Sequence, residues 1–202
     1  METVRGAMKA LPALALLAAL LVGGCDEKDT VPPPPAALTA EAIGHYCGMA
    51  LVEHPGPKGQ IFLRGKDDPV WFSSARDTVA FTRLSEEPKA LRAIYVSDMA
   101  KAGDWDDPGA TNWTDARRAW FVLGSDRRGG MGGEEAVPFS DRAAAERFAA
   151  GHGGRVLAFA DIPRDWVLGG GVAAEAGADP APPASSPAGH AHAPAAPAHH
   201  GH

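Results

Sequence analysis

Between residues 41 and 168 the chain carries short apolar alternations separated by polar turns. Runs of this kind read as strands at Gln60-Ile61-Phe62-Leu63, Val70-Trp71-Phe72, Ala93-Ile94-Tyr95-Val96, Ala119-Trp120-Phe121-Val122-Leu123, Val137-Pro138-Phe139 and Arg155-Val156-Leu157-Ala158-Phe159. Two stretches change to helical spacing. Ala75, Val79, Ala80 and Phe81 favour one side of a helix over about 74–84, and Ala143, Ala144 and Phe148 one side of a helix over about 141–150. Each stretch opens with capping chemistry, Ser74-Ala75-Arg76-Asp77 in the first and Ser140-Asp141 in the second.

The two halves repeat one another. At an offset of 67, Val70-Trp71-Phe72-Ser73 aligns with Val137-Pro138-Phe139-Ser140, and Phe81 with Phe148. The element order is β-β-α-β in both, so the sequence predicts an α+β fold of two homologous ββαβ units made by internal duplication. The first unit is expected over 41–110 and the second over 111–168. A small sheet with one helix on one face leaves its other face bare, so the units are expected to bury those faces against each other or to share an intervening segment.

The ends have different grammar. Arg5 and Lys9 precede LPALALLAALLVGG, an apolar run of about a dozen residues that suits a signal peptide over 1–24 and is short for a membrane span. Leu21-Val22-Gly23-Gly24-Cys25 resembles the bacterial lipobox, in which the cysteine is acylated and becomes the first residue. A plain secretory signal with an incidental cysteine is the alternative. Lipidated at Cys25, the protein would be anchored to a membrane without spanning it. Residues 25–40, with four consecutive prolines, are expected to be an extended tether, and 169–202, made of Gly, Ala, Pro and His with little to bury, a disordered tail.

Charge narrows the partners. The net charge is −6, and −7 without residues 1–24, which hold Arg5 and Lys9 against Glu2. No basic patch points to nucleic acid. With Cys25 acylated, Cys47 is the other of two cysteines and has no intramolecular partner, so no disulfide scaffold is expected.

An unpaired thiol in an exported chain requires a reason, and the neighbouring residues supply one. His45-Tyr46-Cys47-Gly48-Met49 places a thiol and a thioether two residues apart around a glycine, and Gly129-Gly130-Met131-Gly132-Gly133 places a second thioether in a glycine loop between two strands. Soft, polarizable sulfur donors select Cu(I) over ions that prefer oxygen. Met131 lacks the apolar setting of a core methionine, although an incidental methionine in a flexible turn is the competing explanation. His45 and His54 are possible additional ligands, or solvated loop histidines. Met99, at a strand end, is expected to pack in the core. Trp105, Trp113 and Trp120 are expected to hold the two units together. Asp126-Arg127-Arg128 reads as a solvated hairpin tip or a rim for a transfer partner.

HYCGM, EHPGPKGQIFL, DPVWFSSARDTVAF, GSDRRGGMG, EAVPFSDRAAAE and GRVLAFADIP together resemble the NosL family, the accessory lipoproteins of nitrous oxide reductase assembly. The likeness spans residues 43 to 168 and the lipobox. It implies two homologous ββαβ domains and a periplasm-facing copper chaperone. Such a chaperone would deliver Cu(I) for the copper-sulfide centre of the nitrous oxide reductase apoprotein, together with an ABC-type membrane complex. The family's Cys-x-Met falls on Cys47 and Met49, and its glycine-flanked methionine on Met131. Cys47 would bind as thiolate, so that uptake releases a proton and weakens at low pH. Asp26 after the lipidated cysteine resembles an inner-membrane retention signal, which favours the periplasmic face of the inner membrane.

Two other classes remain open at the level of sequence. A Cys47 nucleophile with His45 or His54 as base would make an enzyme, but no nucleophile elbow or third orienting group is present, and carbon–metal lyase chemistry wants paired thiols. A structural lipoprotein without metal would tolerate loss of Cys47. Five histidines, His190, His192, His199, His200 and His202, concentrate in the tail. They suit a metal-gathering segment or belong to an extension without function.

Overall fold

The computed structural model describes residues 31–169. The leader over 1–24, the lipobox Cys25 and the tail from residue 170, with its five histidines, lie outside the described residues.

Two antiparallel sheets form. Strands β1 (Gly59–Leu63), β2 (Val70–Phe72), β3 (Leu91–Ser97) and β4 (Trp113–Asp115) make the first, in the order β2-β1-β3-β4. Strands β5 (Trp120–Leu123), β6 (Val137–Phe139) and β7 (Arg155–Ala158) make the second, in the order β6-β5-β7. Helix α1 (Ala75–Arg83) follows β2, helix α2 (Arg142–His152) follows β6, and a short helix α3 (Arg164–Leu168) closes the described chain. The fold is α+β, and both halves have the β-β-α-β order that the repeat predicts.

The helix starts follow their local chemistry. Ser74 is extended and accepts from the Asp77 amide at 3.2 Å, which fixes the first turn of α1. In α2 the acid is the cap: the Asp141 carboxylate accepts from the Ala144 amide at 3.0 Å, one residue beyond Ser140. Pro138 sits in β6, an edge strand of its sheet, where its missing N–H costs no ladder bond.

Strand β4 was not expected. Ser97, Val96 and Tyr95 of β3 pair with Trp113, Thr114 and Asp115, so the first sheet takes in residues beyond 110. A three-residue strand containing two polar residues has too little alternation to stand out. Its ring contact with Trp71, at 5.9 Å between centroids, and its register with β3 are tertiary facts.

The two helix-free faces do not meet: the α1-covered face of the first sheet packs against the helix-free face of the second. Phe72, Val79, Phe81, Ile94 and Val96 from the first unit share one buried cluster with Phe121, Leu123, Ile162 and Val167 from the second, with α1 contributing to its centre. On the opposite side of the second sheet, Val122, Val137, Phe139 and Ala145 pack with Phe148 of α2. Met99 joins that second cluster, as a core methionine should. Trp105 bridges the units: its carbonyl accepts from the Gly56 amide at 2.8 Å, and its ring stacks on Phe148 at 6.4 Å and 11°. Trp113 meets Trp71, so that it joins the two units as first bounded, while Trp120 lies under the Arg142 guanidinium at 4.8 Å.

The proline-rich segment is extended, as composition suggests, but from Val31 onward it is not free. It lies along the first sheet, on the face opposite the shared core. The buried Gln60 side chain exchanges two hydrogen bonds of 2.9 Å with the backbone of Ala36, the Tyr95 hydroxyl donates to the Pro33 carbonyl at 2.7 Å, and the Leu38 amide donates to the Ala110 carbonyl at 2.8 Å. A glutamine at an otherwise apolar strand position needs such a partner, since an unpaired buried amide is costly.

Candidate metal centre

The Cys-x-Met motif is a tight hairpin. Ile43 bridges Ala50, the Gly44 amide donates to the Met49 carbonyl at 2.9 Å, and the Gly48 amide donates to the Gly44 carbonyl at 2.8 Å. Gly48 takes φ 68°, which reverses the chain between the two sulfur residues. The partly buried Cys47 is a free thiol, and its Sγ lies directly over Gly44, in space a side chain there would need. The hairpin is docked on the free edge of β2, where Gly44 bridges Trp71 in parallel and the His45 amide donates to the Trp71 carbonyl at 2.7 Å. Met49, at 37% exposure, presents its thioether outward.

His45 is turned toward α1. Its ring packs edge-on against Phe72 and Phe81, with centroids 5.9 and 5.6 Å away, and its Nε2 is 3.5 Å from Glu87 Oε1. The Tyr46 hydroxyl donates to the same carboxylate oxygen at 3.0 Å. Burial first, then Glu87, holds the Tyr46 phenol protonated well above its ordinary range, with the Asp77 charge adding to the effect.

The second loop reaches back across the molecule. Arg128 bridges Glu134, the Gly129 amide donates to the Gly133 carbonyl at 2.9 Å, and the Gly132 amide to the Gly129 carbonyl at 2.8 Å. Gly130 lies so close to the first unit that a Cβ there would be 2.7 Å from His54 Cβ and 2.9 Å from the Pro55 carbonyl oxygen. Met131, at 54% exposure, lines a cleft of about 220 Å³ together with Ser74, Arg76 and Asp77 at the start of α1. The Cys47 hairpin and the Met131 loop, one from each unit, therefore both flank α1. His54 is drawn to the Met131 side, with its Nε2 buried and unpartnered. Asp126, Arg127 and Arg128 are exposed, as expected of a solvated tip, with the Arg127 guanidinium 5.0 Å over the Trp105 ring and Asp126 2.9 Å from His152 Nδ1.

Beneath the Met131 loop lie two buried titratable groups that composition does not reveal. Glu135 is 1% exposed; its Oε1 accepts from the Arg76 amide at 2.8 Å, the Ala136 amide at 2.9 Å and the Ser74 hydroxyl at 3.2 Å. Its Oε2 has no hydrogen-bond partner and faces Gly129, whose Cβ, if present, would be 2.5 Å away. Lys58, 2% exposed, donates to the carbonyls of Pro55 and Gly56, and burial lowers its ammonium to about 8 against the opposing pull of Glu135. Gly129 thus rests on the Glu135 carboxyl, and Gly130 on the Pro55 carbonyl to which Lys58 donates. Arg76 ties the same region to α3, donating to the Trp166 carbonyl at 2.8 Å and to that of Gly169, and lying 4.8 Å over the Trp166 ring.

Burial pushes the Glu135 carboxyl up to about 8. Between the ordinary carboxylate range and that value the folded chain holds a proton the unfolded chain has lost, so stability falls as pH rises through this window. Glu135→Gln is expected to flatten that fall, by on the order of 2 kcal/mol between about pH 5 and 8 in denaturant melts. Lys58 acts in the other direction only above about pH 8. Parallel curves for the two proteins would refute the assignment.

Among the described residues no group of three or more His, Cys, Asp and Glu is placed to hold a metal ion. The donors brought to the surface are sulfurs. By class this is a duplicated α+β protein that presents a thiol and two thioethers from loops on either side of one helix. The chain belongs to the NosL family, whose model matches residues 35–167. It is 47% identical over 168 residues to the copper-binding lipoprotein NosL of Achromobacter cycloclastes, covering 83% of this chain and 86% of that protein. It is 36% identical over 153 residues to the copper-binding lipoprotein NosL of Stutzerimonas stutzeri, covering 74% and 77%. The crystal structure of the copper chaperone NosL from Shewanella denitrificans superposes with a TM-score of 0.62 at 35% identity, covering 66% of this chain and 98% of that one. These relatives are named for copper binding and chaperoning, not for an enzymatic activity.

Proposed function

We propose that this chain is a lipid-anchored Cu(I) metallochaperone serving assembly of the copper-sulfide centre of nitrous oxide reductase. Cys47 is the thiolate anchor, and Met49 and Met131 are the exchangeable thioether donors. The observation that carries the reading is that two sulfur-bearing loops, one from each unit, flank α1, the Met131 loop at its start and the Cys47 hairpin beside Phe81 and Glu87, with both methionines exposed. An exposed methionine forgoes about 1.5–3 kcal/mol of burial, and two of them flanking one helix beside a free thiol define a soft-donor surface. The copper-binding and chaperone names of the relatives support the metal. A single thiolate with two weaker donors holds Cu(I) and still surrenders it, which delivery requires. His54, with its unpartnered Nε2 beside the Met131 loop, is a better placed further ligand than His45, which faces Glu87.

The receiving partners are the reductase apoprotein and an ABC-type membrane complex. The anchor is Cys25, and the site is the periplasmic face of the inner membrane. Among the described residues no helix is long and apolar enough to cross a membrane, which fits anchoring by lipid. The test is Cu(I) competition: the wild-type chain is expected to take one tightly held equivalent from a Cu(I) chelator, and Met131→Ala to weaken that uptake about tenfold or more. If the wild-type chain cannot outcompete a weak chelator, the reading fails.

A further inference from the structure

Glu135 and Lys58 are both buried beneath the Met131 loop, and the sulfur chemistry proposed above uses neither. Taking such groups out of water is costly, and apolar side chains of similar volume often serve stability as well. What they hold in place gives the reason for them. Glu135 follows Glu134, the residue that closes the loop by bridging Arg128. Its Oε1 accepts from the Ala136 amide and also from the Ser74 hydroxyl and the Arg76 amide, so one carboxyl joins the loop of the second unit to the helix start of the first. Its Oε2 lies against Gly129, where a Cβ would stand 2.5 Å away.

The next glycine has a seat of its own. Lys58 Nζ donates to the Pro55 carbonyl at 2.9 Å and to that of Gly56, which closes a turn whose Gly56 takes φ 79°. Gly130 rests on that turn and on the residue after β2: a Cβ there would be 2.9 Å from the Pro55 carbonyl oxygen and 3.2 Å from that of Ser73. The loop itself is Gly129-Gly130-Met131-Gly132-Gly133, and its own bonds, Gly129 amide to Gly133 carbonyl and Gly132 amide to Gly129 carbonyl, are internal. A run of glycines has wide backbone freedom. The position of Met131 is therefore set by what the loop sits on.

We infer that Glu135 and Lys58 are positioning residues that seat the Gly129-Gly130 end of this loop on the first unit and so fix where the Met131 thioether is presented. The seating belongs to the metal-free chain, and its effect on copper rests on Met131 being a ligand, as proposed above. Glu135 acts through shape and accepting oxygen: burial pushes its carboxyl up to about 8, so the group is mostly protonated at neutral pH. A neutral side chain of the same shape replaces it.

The experiment compares Glu135→Ala, Glu135→Gln and Lys58→Met with the wild-type chain and with Val122→Ala. Val122 packs on the α2 side of the second sheet, so its truncation destabilises the fold with both seats intact. Amide hydrogen exchange, followed residue by residue in the metal-free chain by NMR, reads the seating. Glu135→Ala and Lys58→Met are each expected to speed exchange at Gly129 and Gly132 about tenfold, with the Gly44 and Gly48 amides of the Cys47 hairpin at wild-type rates. Against a Cu(I) chelator both variants should hold the metal about 10–100-fold less tightly, while Glu135→Gln and Val122→Ala stay within about twofold of wild type. Should Glu135→Ala fail to fold, Lys58→Met decides on the same readouts. Wild-type exchange at Gly129 and Gly132 in the loop variants overturns the seating, whether or not the wild-type chain binds copper. Faster exchange with unchanged Cu(I) affinity overturns the positioning of Met131 for the metal, and an equal loss of affinity in Val122→Ala reduces both residues to a purely structural role.

Discussion

Replacing Cys47 with serine is expected to lower Cu(I) affinity more than about a hundredfold, beyond the 10–100-fold loss typical when only a supporting residue is removed, while leaving the thermal midpoint of the metal-free chain nearly unchanged. The thiol is partly exposed, makes no disulfide, and sits above Gly44 in a hairpin whose backbone bonds do not involve the side chain. Serine fits that space and keeps the turn, but its hydroxyl is a hard donor and stays protonated at neutral pH. Chelator competition and a melting curve on the same preparation separate the two effects. Retention of wild-type affinity by Cys47→Ser would favour the structural-lipoprotein alternative.

The second large effect is expected at a residue that carries no donor. Gly130→Ala puts a methyl 2.7 Å from His54 Cβ and 2.9 Å from the Pro55 carbonyl oxygen, so the Met131 loop must lift from the first unit. Overpacking of this kind costs about 1–3 kcal/mol. It also moves Met131 relative to the Cys47 hairpin, with an expected loss of Cu(I) affinity of about 10–100-fold. Gly133→Ala, where an added Cβ meets nothing within 4 Å, is the internal control and should leave both quantities near wild type. Equal behaviour of the two alanine variants in chelator competition would show that contact between the loop and the first unit does not set the site.

Much of this architecture is legible in the sequence because its determinants are local. The V-x-F-S repeat marks two strand-to-helix passages through alternation and capping, and Ser74 caps α1 as its spacing suggests. Cys47, Met49 and Met131 stand out as residue types in glycine settings. What could not be read depends on approach between distant segments. Nothing local separates Glu135, fully enclosed, from Glu134 beside it, or marks Lys58 as buried. The role of Arg76 in holding α3 requires Trp166 and Gly169, each at least 90 residues away in sequence. Gly129-Gly130 reads in the sequence only as part of a glycine loop, and its close approach to Glu135 on one side and His54-Pro55 on the other is a tertiary fact.

The docking of residues 31–40 along the first sheet sets how far the protein can roam. If Cys25 carries the lipid, only the residues between it and Val31 separate the acyl chains from a segment already fastened to Gln60 and Tyr95, a span of at most about 20 Å. The domain would then ride close to the bilayer and search mainly by lateral diffusion, with its sheet-side face restrained near the headgroups. Exchange partners within the same membrane, or held against it, would meet the cleft far more often than partners free in the surrounding volume.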